Sequence, residues 1–162
     1  DNILALKKPF LEIAIFKSCL IKKKIIEKDE REKNIRQILN FGHTFAHAFE
    51  ATNNYLKKLN HGEAVLLGMI CAINFAYQNN SIKKNDYKKI IHHYKKLNLP
   101  MSIKKKFSGK NIKKILSFMK KDKKNNNSNI NLVLLNKIGS ANYNCQFTDL
   151  KIKRFLKIEL VN

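Results

Sequence analysis

Three histidines in the first half of the chain have the side chain and the spacing that a metal site requires. His43 and His47 are four residues apart, so on one helix both imidazoles could reach a single metal ion. His61 stands at the predicted start of an apolar helix, followed by Gly62, where the backbone can be approached closely. A lone HxxxH pair is more often structural or on the surface than a pair of metal ligands, but the third histidine favours a metal site.

A helix predicted from about Ile35 to Glu50 would set the first two histidines among further polar groups. At about 100° per residue, one stripe about 60° wide contains Arg36, Asn40, His43 and His47. The opposite side carries the apolar residues Ile38, Phe41, Gly42, Phe45, Ala48 and Phe49. A solvated face in this chain should contain lysine, yet none occurs between Lys33 and Lys57. The stripe is therefore interpreted as a binding surface.

Residues 36–50 read RQILNFGHTFAHAFE and resemble the RxxLNFGHTx(G/A)HAxE signature of the 3-dehydroquinate synthase family. Residues 61–69, HGEAVLLGM, resemble its HGEAVxxGM motif. Shorter matches to its SxxxK, DExE, MKxDKK, LVLL and IG motifs occur, in that order, at 18–22, 29–32, 119–124, 132–135 and 138–139. The resemblance is specific because these pieces follow one another in order from about residue 18 to residue 141.

The resemblance implies a role for each matching residue. His43 and His61 would bind zinc, and His47, one turn beyond His43, would lie near the metal and the substrate phosphate. Glu32 would line the same site. Contacts to the phosphate, carboxylate and hydroxyls of the substrate would come from Lys22, Arg36, Asn40 and Lys123. Spacing alone does not show which histidines bind the metal; that assignment comes from the resemblance.

The same resemblance implies a reaction. The family converts 3-deoxy-D-arabino-heptulosonate 7-phosphate, a phosphorylated sugar acid, into 3-dehydroquinate and phosphate. This phosphorus–oxygen lyase step belongs to the shikimate pathway, which leads to chorismate and the aromatic amino acids. NAD+ would transiently oxidise a ring hydroxyl before phosphate leaves, and Zn2+ (or Co2+) would polarise that oxygen. A homodimer is the implied assembly.

The family's third metal ligand, a glutamate, and its NAD-binding domain belong to a region before Asp1. These 162 residues contain no GxGxxG-like phosphate loop. We therefore expect residues 1–162 to form the C-terminal metal- and substrate-binding domain, inactive as a cyclase on its own. The nearest alternative function is another sugar-phosphate cyclase of the same family.

The chain is strongly basic, with 33 Lys and Arg residues against 12 Asp and Glu residues and a formal net charge of +21 at pH 7. Such a charge is typical of nucleic-acid-binding proteins. Arginine binds phosphates better than lysine does, however, because its planar guanidinium can donate two parallel hydrogen bonds. It occurs only at Arg31, Arg36 and Arg154. We therefore expect no nucleic-acid partner. A truncated, non-catalytic, lysine-rich nucleic-acid-binding module is the alternative of a different class.

The cysteines and the apolar runs bear on location. Cys19, Cys71 and Cys145 are odd in number and widely spaced, which fits a reducing cytosol. No signal peptide is visible, and the most apolar run, residues 64–76, is too short to span a bilayer. We expect a cytoplasmic location and no membrane association.

The elements that must position these groups are mostly helical. The sequence predicts a mainly α fold, the multi-helix C-terminal domain of the dehydroquinate synthase-like fold, with a small β element near the C-terminus. Apolar residues three and four apart predict further helices at about 9–25, 61–79, 85–97 and 108–119, and a last one after Asp149. Strand character occurs at 130–135 and 143–147. His92 and His93, in a lysine-rich helix, are expected on the surface.

Overall fold

The computed structural model describes residues 2–54, 59–121 and 129–161. Within these residues the chain forms six α-helices: α1 (Phe10–Lys28), α2 (His43–Thr52), α3 (His61–Gln78), α4 (Lys84–Lys96), α5 (Ile112–Lys121) and α6 (Asp149–Leu160). Two antiparallel strands, β1 (Asn129–Lys137) and β2 (Ser140–Thr148), form a hairpin. Three short 3-10 helices span Ile35–Asn40, Ile103–Lys105 and Gly109–Asn111. The predicted mainly α fold with a small β element near the C-terminus is confirmed.

The chain divides into two compact units, Asp1–Leu39 and Asn40–Asn162. The first unit contains α1, which matches the helix predicted from about residue 9. No residue of α1 is buried, and its large apolar side chains include Phe16 at 65% exposure and Ile21 at 59%. The segment after α1 is organised by Asp29, which is buried.

The second unit is built on α2 and α3, which pack against each other. α5 also packs on α2, β1 packs on α3, and α6 packs on α5. Apolar side chains of these elements form the larger of two hydrophobic clusters, whose largest fully buried members include Phe45, Phe49, Leu67, Phe75, Ile115, Met119, Ile130 and Ile152. Burying one such side chain contributes about 1.5–3 kcal/mol. The core therefore fixes α2 against α3, the two helices that carry the histidines.

The hairpin contributes one face to this core. Ile130 of β1 lies opposite Phe147 of β2. Ile130, Leu132 and Leu134 are buried, with half-buried residues between them, because successive side chains of a strand point to opposite faces. The strands predicted at 130–135 and 143–147 are confirmed, and each is longer than predicted.

The single helix predicted from Ile35 to Glu50 is wrong. The chain forms the 3-10 helix Ile35–Asn40, turns at Gly42 with a φ of +80°, and starts α2 at His43. A positive φ belongs to the left-handed region, which a residue inside a right-handed α-helix does not adopt. Gly42 therefore ends one element and begins the next.

The predicted stripe is consequently not a helical face. Arg36 and Asn40 lie in the 3-10 helix, whereas His43 and His47 lie in α2. The angle of about 100° per residue holds only within one continuous α-helix. It therefore does not give the angle between the pair Arg36 and Asn40 and the pair His43 and His47. The apolar side of the prediction is confirmed within α2, because its three members there, Phe45, Ala48 and Phe49, are all fully buried.

Three other expectations concern the surface and the thiols. In the part of the chain that the structure describes, no helix is long and apolar enough to cross a membrane. Cys19, Cys71 and Cys145 are free thiols. His92 and His93 are exposed on α4, as predicted.

Candidate metal centre

Two of the three histidines stand at the first residue of a helix. His43 begins α2 directly after the turn at Gly42, and His61 begins α3. The start of α3 is fixed by Asn60, whose side-chain oxygen accepts a hydrogen bond from the backbone N–H of Glu63 at 2.9 Å. Such a cap satisfies an N–H that has no partner within the helix. The local sequence thus places both histidines at the first position of their helices.

The packing of α2 against α3 brings the three imidazoles together. The ring centroids of His43 and His47 are 5.6 Å apart, those of His43 and His61 are 5.8 Å apart, and those of His47 and His61 are 6.4 Å apart. His47 and His61 are exposed, whereas His43 is half-buried. The histidines that the sequence singles out therefore form one cluster that opens to solvent.

His43 and His61 each present Nδ1 to an oxygen acceptor. His61 Nδ1 lies 3.1 Å from a carboxylate oxygen of Glu50, and His43 Nδ1 lies 3.3 Å from the carbonyl oxygen of Phe41. When Nδ1–H donates such a hydrogen bond, the neutral imidazole keeps its lone pair on Nε2. In the neutral rings, both contacts favour the tautomer that leaves Nε2 available to a metal.

This geometry fits a metal ion held by two imidazoles. Tetrahedral Zn2+ with Zn–N bonds of about 2.0–2.1 Å places the centroids of two ligating rings about 5 Å apart. The separations of 5.6 Å between His43 and His47 and 5.8 Å between His43 and His61 are both close to that value, so the ring spacing alone does not select the pair. Across residues 2–54, 59–121 and 129–161, however, no group of three His, Cys, Asp or Glu side chains is placed to hold an ion. An ion held by two of these imidazoles would fall short of the three protein ligands that catalytic zinc sites use.

Glu50 also belongs to this cluster, although the sequence alone does not predict a role for it. It lies on α2 three residues after His47 and seven after His43, and its side chain is only 14% exposed. Residues three, four and seven apart share a helix face. That spacing within α2 is the signal that could have identified it.

In the first unit, Asp29 organises the segment that carries Arg36. Its carboxylate accepts hydrogen bonds from the backbone N–H groups of Lys33 (3.0 Å), Asn34 (2.7 Å) and Arg36 (3.0 Å). Burial alone would raise the pKa of Asp29, but these hydrogen bonds and the Arg36 charge lower it below its ordinary value of 3.8. In the sequence, Asp29 stands out only as part of the motif at 29–32, because its hydrogen-bond donors are backbone groups.

Arg36 and Glu32, both predicted substrate-site residues, are neighbours within the first unit. Arg36 Nη1 donates a hydrogen bond to the carbonyl oxygen of Glu30 at 2.6 Å. Its Nε lies 3.9 Å from a carboxylate oxygen of Glu32, and both side chains are about two-thirds shielded from solvent, at 29% and 32% exposure. The guanidinium is thus oriented by the loop that follows α1.

The remaining predicted substrate contacts are spread along the chain. Lys22 is exposed on α1, in the first unit. Asn40 is the last residue of the 3-10 helix and belongs to the second unit. Lys123 lies outside the described residues.

Comparison with known proteins identifies the family. The family model described as 3-dehydroquinate synthase C-terminal matches residues 1–125. The chain belongs to the 3-dehydroquinate synthase family. The 3-dehydroquinate synthase of Pelagibacter ubique is 56% identical over 159 residues, which are 98% of this chain and 43% of that protein. The 3-dehydroquinate synthase of Endomicrobium trichonymphae is 41% identical over 131 residues, which are 80% of this chain and 35% of that protein.

Solved structures show the same fold. A 2-deoxy-scyllo-inosose synthase, complexed with carbaglucose-6-phosphate, NAD+ and Co2+, superposes with a TM-score of 0.70 and 25% identity over 86% of this chain and 39% of that one. A 2-epi-5-epi-valiolone synthase from Streptomyces hygroscopicus, with NAD+ and Zn2+ bound, gives a TM-score of 0.72 at 18% identity over 93% and 41% of the two chains. The chain thus spans less than half the length of the relatives that it matches.

Proposed function

We propose that residues 1–162 are the C-terminal metal- and substrate-binding domain of a 3-dehydroquinate synthase. In this proposal the whole protein converts 3-deoxy-D-arabino-heptulosonate 7-phosphate into 3-dehydroquinate and phosphate, as a phosphorus–oxygen lyase of the shikimate pathway. The observation that carries the proposal is the cluster of His43, His47 and His61, with centroids within 6.4 Å, in a chain of this family. Three free thiols suit the proposed cytoplasmic location.

The proposed ligands of Zn2+ or Co2+ are His43 and His61, each through Nε2, because Nδ1 of each ring faces an oxygen acceptor. When bound, the metal supplies Lewis-acid polarisation of a substrate oxygen. His47, one turn along α2, faces the substrate phosphate in this proposal. NAD+ is carried over from the cyclase structures that contain it, and no residue of this chain is assigned to hold it.

The proposed anion-binding residues are Lys22, Arg36 and Lys123, with Asn40 for a substrate hydroxyl. A substrate with both a phosphate and a carboxylate requires several cations, and charge-assisted hydrogen bonds to such groups are the strong ones. The family match and the orientation of Arg36 by Glu30 and Glu32 support its role. In this proposal Glu32 lines the site by holding the guanidinium, so that its planar fork faces an oxyanion.

Titration with Co2+ and Zn2+ tests the metal assignment in this chain. We expect measurable but weak binding, since two imidazoles fall short of the usual three protein ligands. His43→Ala and His61→Ala should each abolish it. The matched control is the double variant His92→Ala/His93→Ala on exposed α4, which should bind as the wild type does. Equal affinity in all variants would refute the assignment, and an effect confined to His47→Ala would mean that another pair binds the ion.

Phosphate release tests the reaction. We expect no release by the 162-residue chain with NAD+ and substrate. Joining the chain to the preceding region of the Pelagibacter ubique relative should restore turnover, and sedimentation of that protein tests the proposed homodimer. Phosphate release by the chain alone would overturn the proposed domain assignment.

Another cyclase function is the second candidate, because the fold also matches a 2-deoxy-scyllo-inosose synthase complexed with carbaglucose-6-phosphate. The joined protein should therefore be assayed with glucose 6-phosphate beside the heptulosonate phosphate. The two substrates differ in the carboxylate that a cation such as Arg36 would bind. We expect turnover of the substrate that carries the carboxylate, and preference for glucose 6-phosphate, which carries only the phosphate, would favour the second candidate.

A further inference from the structure

We propose that Glu50 is the positioning residue of the metal centre, which fixes the tautomer and orientation of the His61 imidazole. This inference rests on the proposed function, because it gives His61 a metal to bind. Its structural basis is the contact of 3.1 Å between a Glu50 carboxylate oxygen and His61 Nδ1. The contact joins α2 to α3 across eleven residues of sequence, so it is formed only by the folded second unit.

The surroundings of the two side chains differ in a way that gives Glu50 this function. The Glu50 side chain is 14% exposed and begins from a helix with a fully buried apolar face, whereas the His61 side chain is 62% exposed. An exposed imidazole at the first residue of a helix has several rotamers available. A shielded carboxylate on a packed helix has few. Glu50 is therefore the fixed member of the pair, and His61 is the member that it orients.

The consequence lies in the two ring nitrogens of His61. A carboxylate accepts a hydrogen bond but cannot donate one, so in the neutral imidazole this contact places the proton of His61 on Nδ1. The lone pair then stays on Nε2, the atom on the side of the ring away from Glu50. Histidines that bind metals commonly donate their second ring N–H to a carboxylate, and loss of that partner costs about 10–100-fold in metal affinity. The backbone carbonyl of Phe41 faces Nδ1 of His43 in the same manner.

The first test reads the tautomer without any metal. Long-range 1H–15N NMR spectra of the chain, at about pH 8.5 in all samples, distinguish Nδ1–H from Nε2–H imidazoles. We expect His61 to be mainly the Nδ1–H form in the wild type and a mixture in Glu50→Ala and Glu50→Gln. Glu50→Gln keeps the shape of the side chain, so it preserves the test if the alanine variant unfolds. The control is Glu63→Gln, which removes a carboxylate paired with Lys106 at 3.0 Å in the same turn of α3.

The second test measures affinity for Co2+ and Zn2+ in the same variants. We expect Glu50→Gln and Glu50→Ala to weaken binding by about 10–100-fold and Glu63→Gln to leave it nearly unchanged. Glu50→Asp keeps the charge but shortens the side chain by one methylene. It therefore distinguishes a directed hydrogen bond to His61 from a purely electrostatic effect of the negative charge. We expect Glu50→Asp to be impaired as well.

The outcomes separate this inference from the proposed function. If His43→Ala and His61→Ala lower the affinity while Glu50→Ala and Glu50→Gln leave both tautomer and affinity unchanged, only the positioning role of Glu50 is overturned. Full affinity in Glu50→Asp with a mixed tautomer would also overturn it, because charge alone would then suffice. If removal of either histidine leaves the affinity unchanged, the metal centre itself is refuted.

Discussion

Gly42 and Gly68 meet where the start of α2 packs against α3, and neither position has room for a side chain. A Cβ on Gly42 would lie 2.6 Å from the backbone nitrogen of Met69. A Cβ on Gly68 would lie 2.9 Å from the backbone nitrogen of Ala46 and would overlap the carbonyl oxygen of Gly42. The backbones of the two helices therefore touch directly. This close approach sets the distance between the helices that carry His43 and His61.

The first prediction is that Gly68→Ala lowers the free energy of unfolding by about 1–3 kcal/mol, the usual cost of overfilling a packed interior. Alanine would otherwise stabilise a helix interior by about 0.5–1 kcal/mol relative to glycine. Gly62→Ala is the matched control, since the nearest atom to its new Cβ would be 3.7 Å away. Urea unfolding followed by circular dichroism measures both. If Gly68→Ala stabilised the protein as Gly62→Ala should, the direct backbone contact would be absent.

The second prediction concerns Asp29, whose folded-state pKa lies below 3.8. A carboxyl with a depressed folded pKa contributes stability above its unfolded pKa and loses it as the pH falls through the folded pKa. Asp29→Asn should therefore be destabilised at neutral pH. The carboxylate accepts hydrogen bonds from Lys33, Asn34 and Arg36 with both of its oxygens, whereas the amide has only one oxygen that can accept. The difference from wild type should shrink below about pH 4.

Unfolding of wild type and Asp29→Asn in urea, at a series of pH values from neutral to below 3.8, measures this difference. Asp86→Asn, in the first turn of α4, serves as the control carboxyl. A constant difference between wild type and Asp29→Asn across the whole series would contradict the predicted linkage.

Periodicity in the sequence predicted most helices and both strands, because most of those elements bury one apolar face, although α1 buries none. It failed between Ile35 and Glu50, where the apolar pattern continues across the turn at Gly42. Glycine at that position permits a helix as well as a left-handed turn, so the pattern alone could not separate the two. The contact with Gly68, which requires the turn, is a tertiary relationship that local patterns do not contain.

The candidate site shows the same division. The spacing of His43 and His47 and the position of His61 at the start of an apolar helix were visible in the sequence, and the family motifs added the assignment of His43 and His61 as metal ligands. The contact between His61 and Glu50 could not be predicted from the sequence, because the two residues belong to different helices and meet only through packing of α2 on α3. The hydrogen bonds of Asp29 were equally hidden, since their donors are backbone groups of an irregular segment.

The third prediction concerns Glu159, on α6. Burial raises its pKa above 4.5, although a hydrogen bond from Asn74 and the charge of Lys104 oppose the shift. Asn74 Nδ2 lies 3.3 and 3.2 Å from its two carboxylate oxygens, and Tyr87 donates to the Asn74 carbonyl at 3.1 Å. A carboxyl with a raised folded pKa contributes stability below its unfolded pKa that is lost as the pH rises through the folded pKa.

Glu159→Gln removes this titration, so the variant should gain stability relative to wild type as the pH rises from about 4 to about 7. Urea unfolding at several pH values measures the gain. Glu27→Gln is the control, because its carboxyl is largely exposed on α1 and the variant should follow the wild type more closely. A gain in Glu159→Gln that did not grow with pH would show that its folded pKa is not raised.

The last prediction separates proposed site cations from surface cations in a protein restored to full length. Neutralising Lys22, Arg36 or Lys123 should cost about 2–4 kcal/mol of transition-state stabilisation, the scale of one oriented contact to developing charge. Lys105→Gln is the control, since Lys105 is exposed in the 3-10 helix Ile103–Lys105. It should change kcat/KM little, as exposed charges contribute about 0–1 kcal/mol.

Arg36→Lys is the sharpest variant of this series because it keeps the charge and removes the planar fork. Arg36 uses Nη1 to bind the carbonyl oxygen of Glu30 at 2.6 Å, while Nε faces Glu32 at 3.9 Å. A single ammonium cannot hold both neighbours and also present two parallel donors to an oxyanion. We therefore expect Arg36→Lys to remain impaired in kcat/KM at every salt concentration. Two outcomes would contradict this prediction: wild-type activity in Arg36→Lys, or equal losses in Lys105→Gln and Arg36→Gln that disappear at high salt. Either would mean that the cations act only through long-range electrostatic attraction.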